Sequence, residues 1–591
     1  MATFIWQRRG HLTLAALVFV GAFIAFIQER STATSGGSAY AVPAVTDTNP
    51  DPDVVETTIT AQGAMVDLGQ GVMASALTFN GQLPGPQFRL KVGDRVIVHF
   101  QNNAGHATGI HWHGIELHNA SDGTPLTQNM VEPGDSFEYD FVVTRPGIYW
   151  YHPHHHSSTN QVFKGMYGTI IITDPNEAPL QASGVLPPQS ATLTLALSDV
   201  TVCKALGSND TETYDVATQP WLDGTQGPLP AQSGPDPDDL CDDSTGDSLP
   251  HPINEDGDPR GDFVAGDIPN IQTKQSAGGT PVIEGQTVLT NGRNVGGRPG
   301  TIADPAKPLG APVATAELFN VQPGQGLRLQ LGNTATTRFF RLRLTDGTGA
   351  LIPLVRIGGQ GGLLDEAIIE GGVINGYDTK YTQGEILLDP GDRQDVVAAI
   401  PATATGVLTL WTLDFARTGG NESNIPTVPV AHFNVTGAAV NPAYTIGDGT
   451  DLRLATGDPV EVLGPASGVL LDPATFTPAL AGMPNQDIIL SNNLPAPNPP
   501  GGAALGINGV QGQHDFVGDF TDFPHNGSSR YGQLGDVLEL TTTNATSAHH
   551  PFHLHGFSIQ PIEYFDADDP SAPTYTFPRH EFRDNIDVPK G

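Results

Sequence analysis

Three short segments carry the residues most able to do chemistry. They are His111-Trp112-His113-Gly114, His152-Pro153-His154 and His550-Pro551-Phe552-His553-Leu554-His555-Gly556. On a strand, residues i and i+2 project from one face, so each His-x-His is a pincer of two imidazoles. With 19 histidines in 591 residues, simple counting gives about 0.6 such pairs by chance. The chain has four, counting the overlap at His154-His155-His156. Imidazole-only ligation suits copper or zinc and does not suit calcium or magnesium. Six pincer histidines are too many for one zinc, which usually takes four ligands. A multinuclear copper cluster fits better.

The elements that must position these pincers repeat along the chain. Residues 90–114, 319–344 and 531–556 each read as a Gly turn, an alternating strand, an Asn-containing turn and a second strand. Val96-Ile97-Val98-His99-Phe100 and Leu327-Arg328-Leu329-Gln330-Leu331 show the period of two that marks sheets. A second repeated element begins at a Pro-Gly-Asp turn, in residues 131–154 and again in 388–415. The third copy reaches Val588-Pro589-Lys590-Gly591, the matching turn. The pattern predicts an all-β chain of three Greek-key sandwiches, at about 52–176, 188–438 and 445–591, the third incomplete. The middle unit carries an acidic insertion at about 205–280. It reads as a solvated loop, since Asp236, Asp238 and Asp239 lack a full calcium-ligand pattern. The Pro/Gly-rich stretch 494–503 reads as a connector.

Composition agrees and excludes several classes. With 70 Gly, 50 Pro and 15% charged residues, the chain is neither a coiled coil nor a helical bundle. A net charge of −36 makes nucleic acid and anionic membranes poor partners. Two cysteines, Cys203 and Cys241, exclude a Cys-rich zinc or iron–sulfur protein. Arg8 and Arg9 precede an apolar run from Leu12 to Ile27, and Ala39-Tyr40-Ala41 fits a small-x-small cleavage site. Residues 1–41 therefore read as an export signal, with the mature protein periplasmic or extracellular and not membrane-embedded.

Taken together, HWHG, YWYHPH and HPFHLHG resemble the first three of four copper signatures of the multicopper oxidases, the laccase-like enzymes of three cupredoxin domains. The resemblance covers about residues 55–591 in the right order. It implies three consecutive cupredoxin-like sandwiches. It implies that His111 and His553 hold a type 2 copper, that His113, His152, His154 and His555 hold paired type 3 coppers, and that His550 faces a separate type 1 copper. His155 and His156 have no role in the pattern. The fourth signature, a His-Cys-His segment, is not among these 591 residues. Cys203 and Cys241 fall in the middle repeat and cannot substitute; a disulfide or two buried thiols are their alternatives. The resemblance thus implies a chain that stops before the fourth signature, with an incomplete type 1 site and no activity as it stands.

The implied reaction couples one-electron oxidation of a phenolic, aromatic amine or metal-ion reductant to four-electron reduction of dioxygen to water. Six scattered methionines disfavour a cuprous-ion oxidase. The acidic segment Glu563 to Asp569 is either an ordinary loop or an attraction for Mn(II), Fe(II) or cationic amines. The competing readings are a non-enzymatic copper-binding or scaffold protein on a cupredoxin core, and a copper nitrite reductase, which three repeats fit less well.

Overall fold

In the computed structural model, the described residues are 38–205 (except 126, 156 and 157), 211–213, 268, 285, 287–300, 302, 309–415, 417, 427–453, 457, 459–461, 488–495, 503–507, 510–511 and 540–590 (except 547, 567, 568 and 578–580). Most of the acidic insertion, Cys241 and His156 lie outside them.

Period-two patterning closes the first sandwich. Its strands are β1 (Val54–Asp67), β2 (Met73–Phe79), β3 (Gly85–Lys91), β4 (Arg95–Asn103), β5 (His111–His113), β6 (Ser136–Val142), β7 (Gly147–His152) and β8 (Gly168–Thr173). They form two four-stranded sheets in the orders β2-β1-β4-β6 and β3-β8-β7-β5. On β4 the alternation is obeyed: Val96, Val98 and Phe100 are fully buried while His99 between them is not. Each such side chain contributes about 2 kcal/mol of apolar burial. Trp112, Tyr139, Tyr149 and Tyr151 fill the same core.

The second sandwich has two larger sheets. One runs Thr287–Thr290, Thr192–Val200, Gly326–Asn333, Arg393–Ala399, Leu354–Gly359, Gly362–Ile368 in spatial order; the other contains Phe319–Val321, Val428–Val435, Gly406–Leu413, Phe340–Thr345 and Leu351–Ile352. Leu327, Leu329 and Leu331 enter its core as the alternation requires. The polar residues between them are buried too. Arg328 is satisfied there by Asp395 and Glu177, as a buried charge must be.

The third unit contributes a four-stranded sheet in the order Val510–Gln511, Ala503–Ile507, Ile488–Pro495, Thr542–Asn544, and a pair, His550–His553 with Asn585–Val588. Leu494 and Pro495 pair with Ala504 and Ala503. The stretch taken as a connector therefore joins two strands of one sheet.

One asparagine explains why the Asn-containing turn recurs. Asn102 Nδ2 donates to His106 O (2.6 Å) and Val131 O (2.7 Å), and its Oδ1 accepts from Ala104 N. Asn333 Nδ2 donates to Arg338 O (2.7 Å) and Leu388 O (3.1 Å), and its Oδ1 accepts from Ala335 N. Asn544 Nδ2 donates to Ala548 O (2.6 Å) and Val588 O (2.9 Å), and its Oδ1 accepts from Thr546 N. In each unit the amide closes its own turn and ties it to the start of the second repeated element. It satisfies backbone groups that burial would otherwise leave unpaired.

The chain near residue 40 is part of this packing. Ala39 is fully buried and its carbonyl accepts from Asn291 Nδ2 at 2.7 Å. Tyr40 Oη lies 3.0 Å from Glu317 O and accepts from His432 N at 2.8 Å. Its ring packs edge-on to Phe319 at 5.8 Å. Cleavage after Ala41 would strip these contacts. Tyr40→Phe is expected to cost about 1–3 kcal/mol, because it leaves the buried His432 amide unpaired. An unchanged urea midpoint would refute that.

Helices among the described residues are short, the α-helices being Ser158–Phe163 and Glu177–Ser183. No helix among them is long and apolar enough to cross a membrane.

Candidate metal centre

Strand alternation aims the histidines. β5 and β7 pair antiparallel with His111 opposite His152, Trp112 opposite Tyr151 and His113 opposite Trp150. Residues opposite one another share a face. Trp112 and Tyr151 therefore turn into the first core, where they meet Phe88 and each other. His111, His113 and His152 emerge on the other face. The third unit brings His553 and His555 to the same place. His553 stacks on His113 at 3.6 Å and 11°, and His555 lies 4.1 Å from His111 and 4.7 Å from His154, ring to ring. His111 is within 5.8 Å, ring to ring, of all five other pincer histidines.

Hydrogen bonds at the outer nitrogens set most tautomers. His111 Nδ1 is 2.7 Å from Asp122 O, His152 Nδ1 is 2.7 Å from Pro153 O, and His553 Nδ1 is 2.9 Å from Asp584 O. A carbonyl only accepts, so Nδ1 carries the proton in all three and Nε2 keeps a lone pair. His111 Nε2 and His553 Nε2 are buried with no partner. Buried nitrogens left unpaired are costly, and here they face one another: ligand atoms of His111, His553 and His555 all lie within 4.8 Å, as do those of His111, His113 and His152. Lone pairs so gathered fit a soft or borderline metal bound by neutral imidazole.

His113 is turned the other way. Its Nδ1 is 3.3 Å from His152 Nε2, while its Nε2 is 3.2 Å from Asp584 Oδ1, close but short of an aligned hydrogen bond. Asp584 is 1% exposed and paired with Arg393, also 1% exposed. Gln360 Oε1 accepts from Asp584 N (2.8 Å) and Asn585 N (2.9 Å), so the second sandwich holds the third unit's strand in place. Gly114, with φ +87°, sits where a Cβ would strike both the Asp584 carboxylate and the Arg393 guanidinium.

The electrostatics favour neutral ligands. Burial pushes the His111 imidazole down to about 4, and His555 adds to the effect. Burial also lowers His113, His152, His154 and His553. Although burial alone would raise it, Asp584 is held well below the usual carboxylate range by Arg393 and by His113 and His553. Asp122, 3.4 Å from both His111 Nδ1 and His555 Nδ1, is likewise lowered by those imidazoles against the opposing effect of burial.

The structure thus brings together His111, His113, His152, His154, His553 and His555. His550 stands apart, with Nε2 2.8 Å from Thr546 Oγ1. Its neighbour His549, which sequence reasoning passed over, is 2.7 Å from Asp587 Oδ2. His155 is buried beside Gly109. Cys203 begins a short hairpin, Cys203–Ala205 with Thr211–Thr213. Asp122, Asp584 and Arg393 are the functional residues that sequence reasoning missed.

The six imidazoles thus lie where the first and last units of this sandwich chain meet. Residues 60–177 and 499–591 each match a family model described as multicopper oxidase. Multicopper oxidase MmcO of Mycobacterium tuberculosis is 27% identical over 565 residues, covering 94% of this chain and 86% of that one. Copper resistance protein A of Escherichia coli is 42% identical over 120 residues, 19% of each chain. The multicopper oxidase from Campylobacter jejuni, titled a metallo-oxidase, superposes with a TM-score of 0.58 at 17% identity, over 93% of this chain and 86% of that one. McoA of Aquifex aeolicus gives 0.57 at 21% identity, over 94% and 91%. The fold is thus the cupredoxin-like one, and the chain's first and last units are similar to those of the multicopper oxidases, copper-binding oxidoreductases that use dioxygen.

Proposed function

We propose that the six-histidine pocket holds a type 2 copper on His111 and His553 and a type 3 pair on His113, His152, His154 and His555. His550 belongs to a separate type 1 site. The observation that carries this reading is the convergence of His111 Nε2 and His553 Nε2, buried and unpartnered, from opposite ends of the chain. When bound, copper supplies one-electron redox chemistry and the site for reduction of dioxygen to water. The chain's own part is to keep the imidazoles neutral by burial, to fix their tautomers through Asp122 O, Pro153 O and Asp584 O, and to exclude bulk water. The reductant is a phenol, an aromatic amine or a metal ion. The Arg8-Arg9 pair and the apolar run after it support export from the cytoplasm.

These 591 residues alone sustain no turnover on this reading. A type 1 site needs a thiolate and two imidazoles. His550 is one candidate ligand, and Cys203 belongs to the second sandwich's hairpin. The same deficit favours a second reading, a copper-binding protein without catalysis. The copper-loaded 591-residue polypeptide is expected to bind copper but to show no intense thiolate-to-copper band and no oxygen uptake with a phenol, an aromatic diamine or Fe(II). A blue, oxygen-consuming preparation overturns the ligand inventory. A preparation that binds no copper overturns the cluster itself.

A further inference from the structure

The Pro-Gly-Asp turn of the second sandwich puts two carboxyl groups into its seam with the third unit. In Asp389-Pro390-Gly391-Asp392 the turn closes from Asp392 N to Asp389 O at 2.9 Å, and Gly391 takes φ +86°. Asp389 and Asp392 are 3% and 2% exposed, but their partners differ. Asp392 accepts from Gln360 Nε2 at 2.6 Å, Arg393 N at 2.6 Å and Gln394 Nε2 at 2.9 Å. Asp389 Oδ2 accepts across the seam from Asn585 Nδ2 at 2.9 Å. Asn585 opens the strand Asn585–Val588, so Asp587, two residues on, leaves that strand on the same face. Asp587 Oδ2 is 2.7 Å from His549 Nδ1, whereas its Oδ1 is buried with no partner. The cations nearby are already committed. Arg356 is paired with Glu370 and Glu581, Arg583 with Glu581, and Arg393 with Asp584 and with Ile148 O. Three guanidiniums thus meet three carboxylates. Among the described residues, Asp389, Asp392 and Asp587 are left without an ion pair to arginine.

We infer that Asp389 carries a proton in the assembled protein and offers it to Asp587 across the seam, so that the third unit docks on the second more weakly once that proton is lost. Buried carboxyl groups set side by side cannot all ionise. Asp392, with three donors on its two oxygens, is the one whose charge is held. Asp389 has a single donor from across the seam, and the orphaned Asp587 Oδ1 needs a donor. A protonated Asp389 supplies it. Burial, and then Asp392 and Asp587, push the Asp389 carboxyl well above the usual carboxylate range, against the pull of Arg583. Burial raises Asp392 as well, but Arg583 and the Gln394 and Gln360 amides oppose it. The charged and titratable groups that face Asp389 are Asp392 from its own turn, and Asp587, Arg583 and Tyr564 from the third unit. An aspartate in the unfolded chain ionises near pH ~3.9. Above that pH the folded state binds one proton more than the unfolded, so this contribution to stability falls as pH rises, until the folded-state Asp389 has titrated. None of this depends on the copper reading.

Infrared spectra of the metal-free full chain, with ¹³C-labelled aspartate, read the proton directly. Near neutral pH the wild type is expected to show a protonated-carboxyl component that Asp389→Asn removes. That variant is permanently neutral, yet keeps an acceptor for Asn585 and a donor for Asp587. Backbone hydrogen exchange along Asn585–Val588 reads the docking. Variant and wild type are compared at each pH, so that the buried imidazoles cancel. The protection of Asp389→Asn relative to wild type is expected to rise with pH, by up to about tenfold per unit, between about pH 5 and 8. Asp587→Asn, which removes a like charge and an acceptor, is expected to move the loss of the infrared component to lower pH. Identical carboxyl bands in wild type and Asp389→Asn overturn the inference, and so does a protection ratio that stays flat with pH. If Asp389→Asn does not fold, Asp587→Asn decides: a carboxyl titration unchanged from wild type overturns it.

Discussion

Replacing His111 by alanine is expected to strip copper from the chain more completely than any other single pincer change. The reason is position. His111 is the ring from which every other pincer histidine is within 5.8 Å. Loss of an outer partner weakens metal sites by about 10–100-fold, and removing a ligand itself should exceed roughly 100-fold. The fold should survive. The variant leaves a small cavity, but it also removes Nε2, a buried nitrogen with no protein partner, so the net stability cost should be about 2 kcal/mol or less. Metal analysis after dialysis measures the first claim and urea unfolding the second. His550→Ala is the control, since its Nε2 turns to Thr546 and away from the cluster. Equal copper retention in the two variants would reject the central place given to His111.

Gly114→Ala should be strongly destabilising. Its φ of +87° costs an L-residue about 1–2 kcal/mol. The added methyl also strikes both members of the Arg393–Asp584 pair. Breaking a buried pair costs about 3–5 kcal/mol, because an uncompensated charge remains. Together these approach the roughly 5–15 kcal/mol that separates folded from unfolded domains. The expected result is little soluble protein, or a urea midpoint far below that of Gly63→Ala. Gly63 is an exposed strand residue with nothing within 4 Å of an added Cβ, and a change there should stay within about 0.5 kcal/mol. Matching midpoints would show that the ion pair yields to a methyl group.

What could be read from sequence divides along physical lines. His111, His113 and His152 were legible because a strand's period of two is written in the sequence, and Trp112 and Tyr151 mark its other face. The Asn turns were legible because the same three bonds recur at Asn102, Asn333 and Asn544. Asp122 and Asp584 were not, since nothing local separates them from the other acidic residues among 63. Their roles come from which carbonyls and rings meet across the units. Arg393 was hidden for a related reason: its partners lie at Ile148 and Asp584, far from it in sequence. The stretch at 494–503 misled because Pro and Gly punctuate a hairpin and a linker alike.

The division of the pincers between the two ends of the chain also sets an order of events. His111 to His154 are made about 400 residues before His550 to His555, and neither group alone gathers the full set of lone pairs. On the proposed ligand set, a nascent or partly folded chain offers at most a weak, half-built foothold for metal, and tight capture must wait for the last unit to dock on the first. From then on the metal favours the docked state by mass action, by about 2.7 kcal/mol when free metal stands at a hundred times its dissociation constant. Loading is in this sense a proofreading step: the copper content of a purified sample reports the fraction of molecules that have finished assembling.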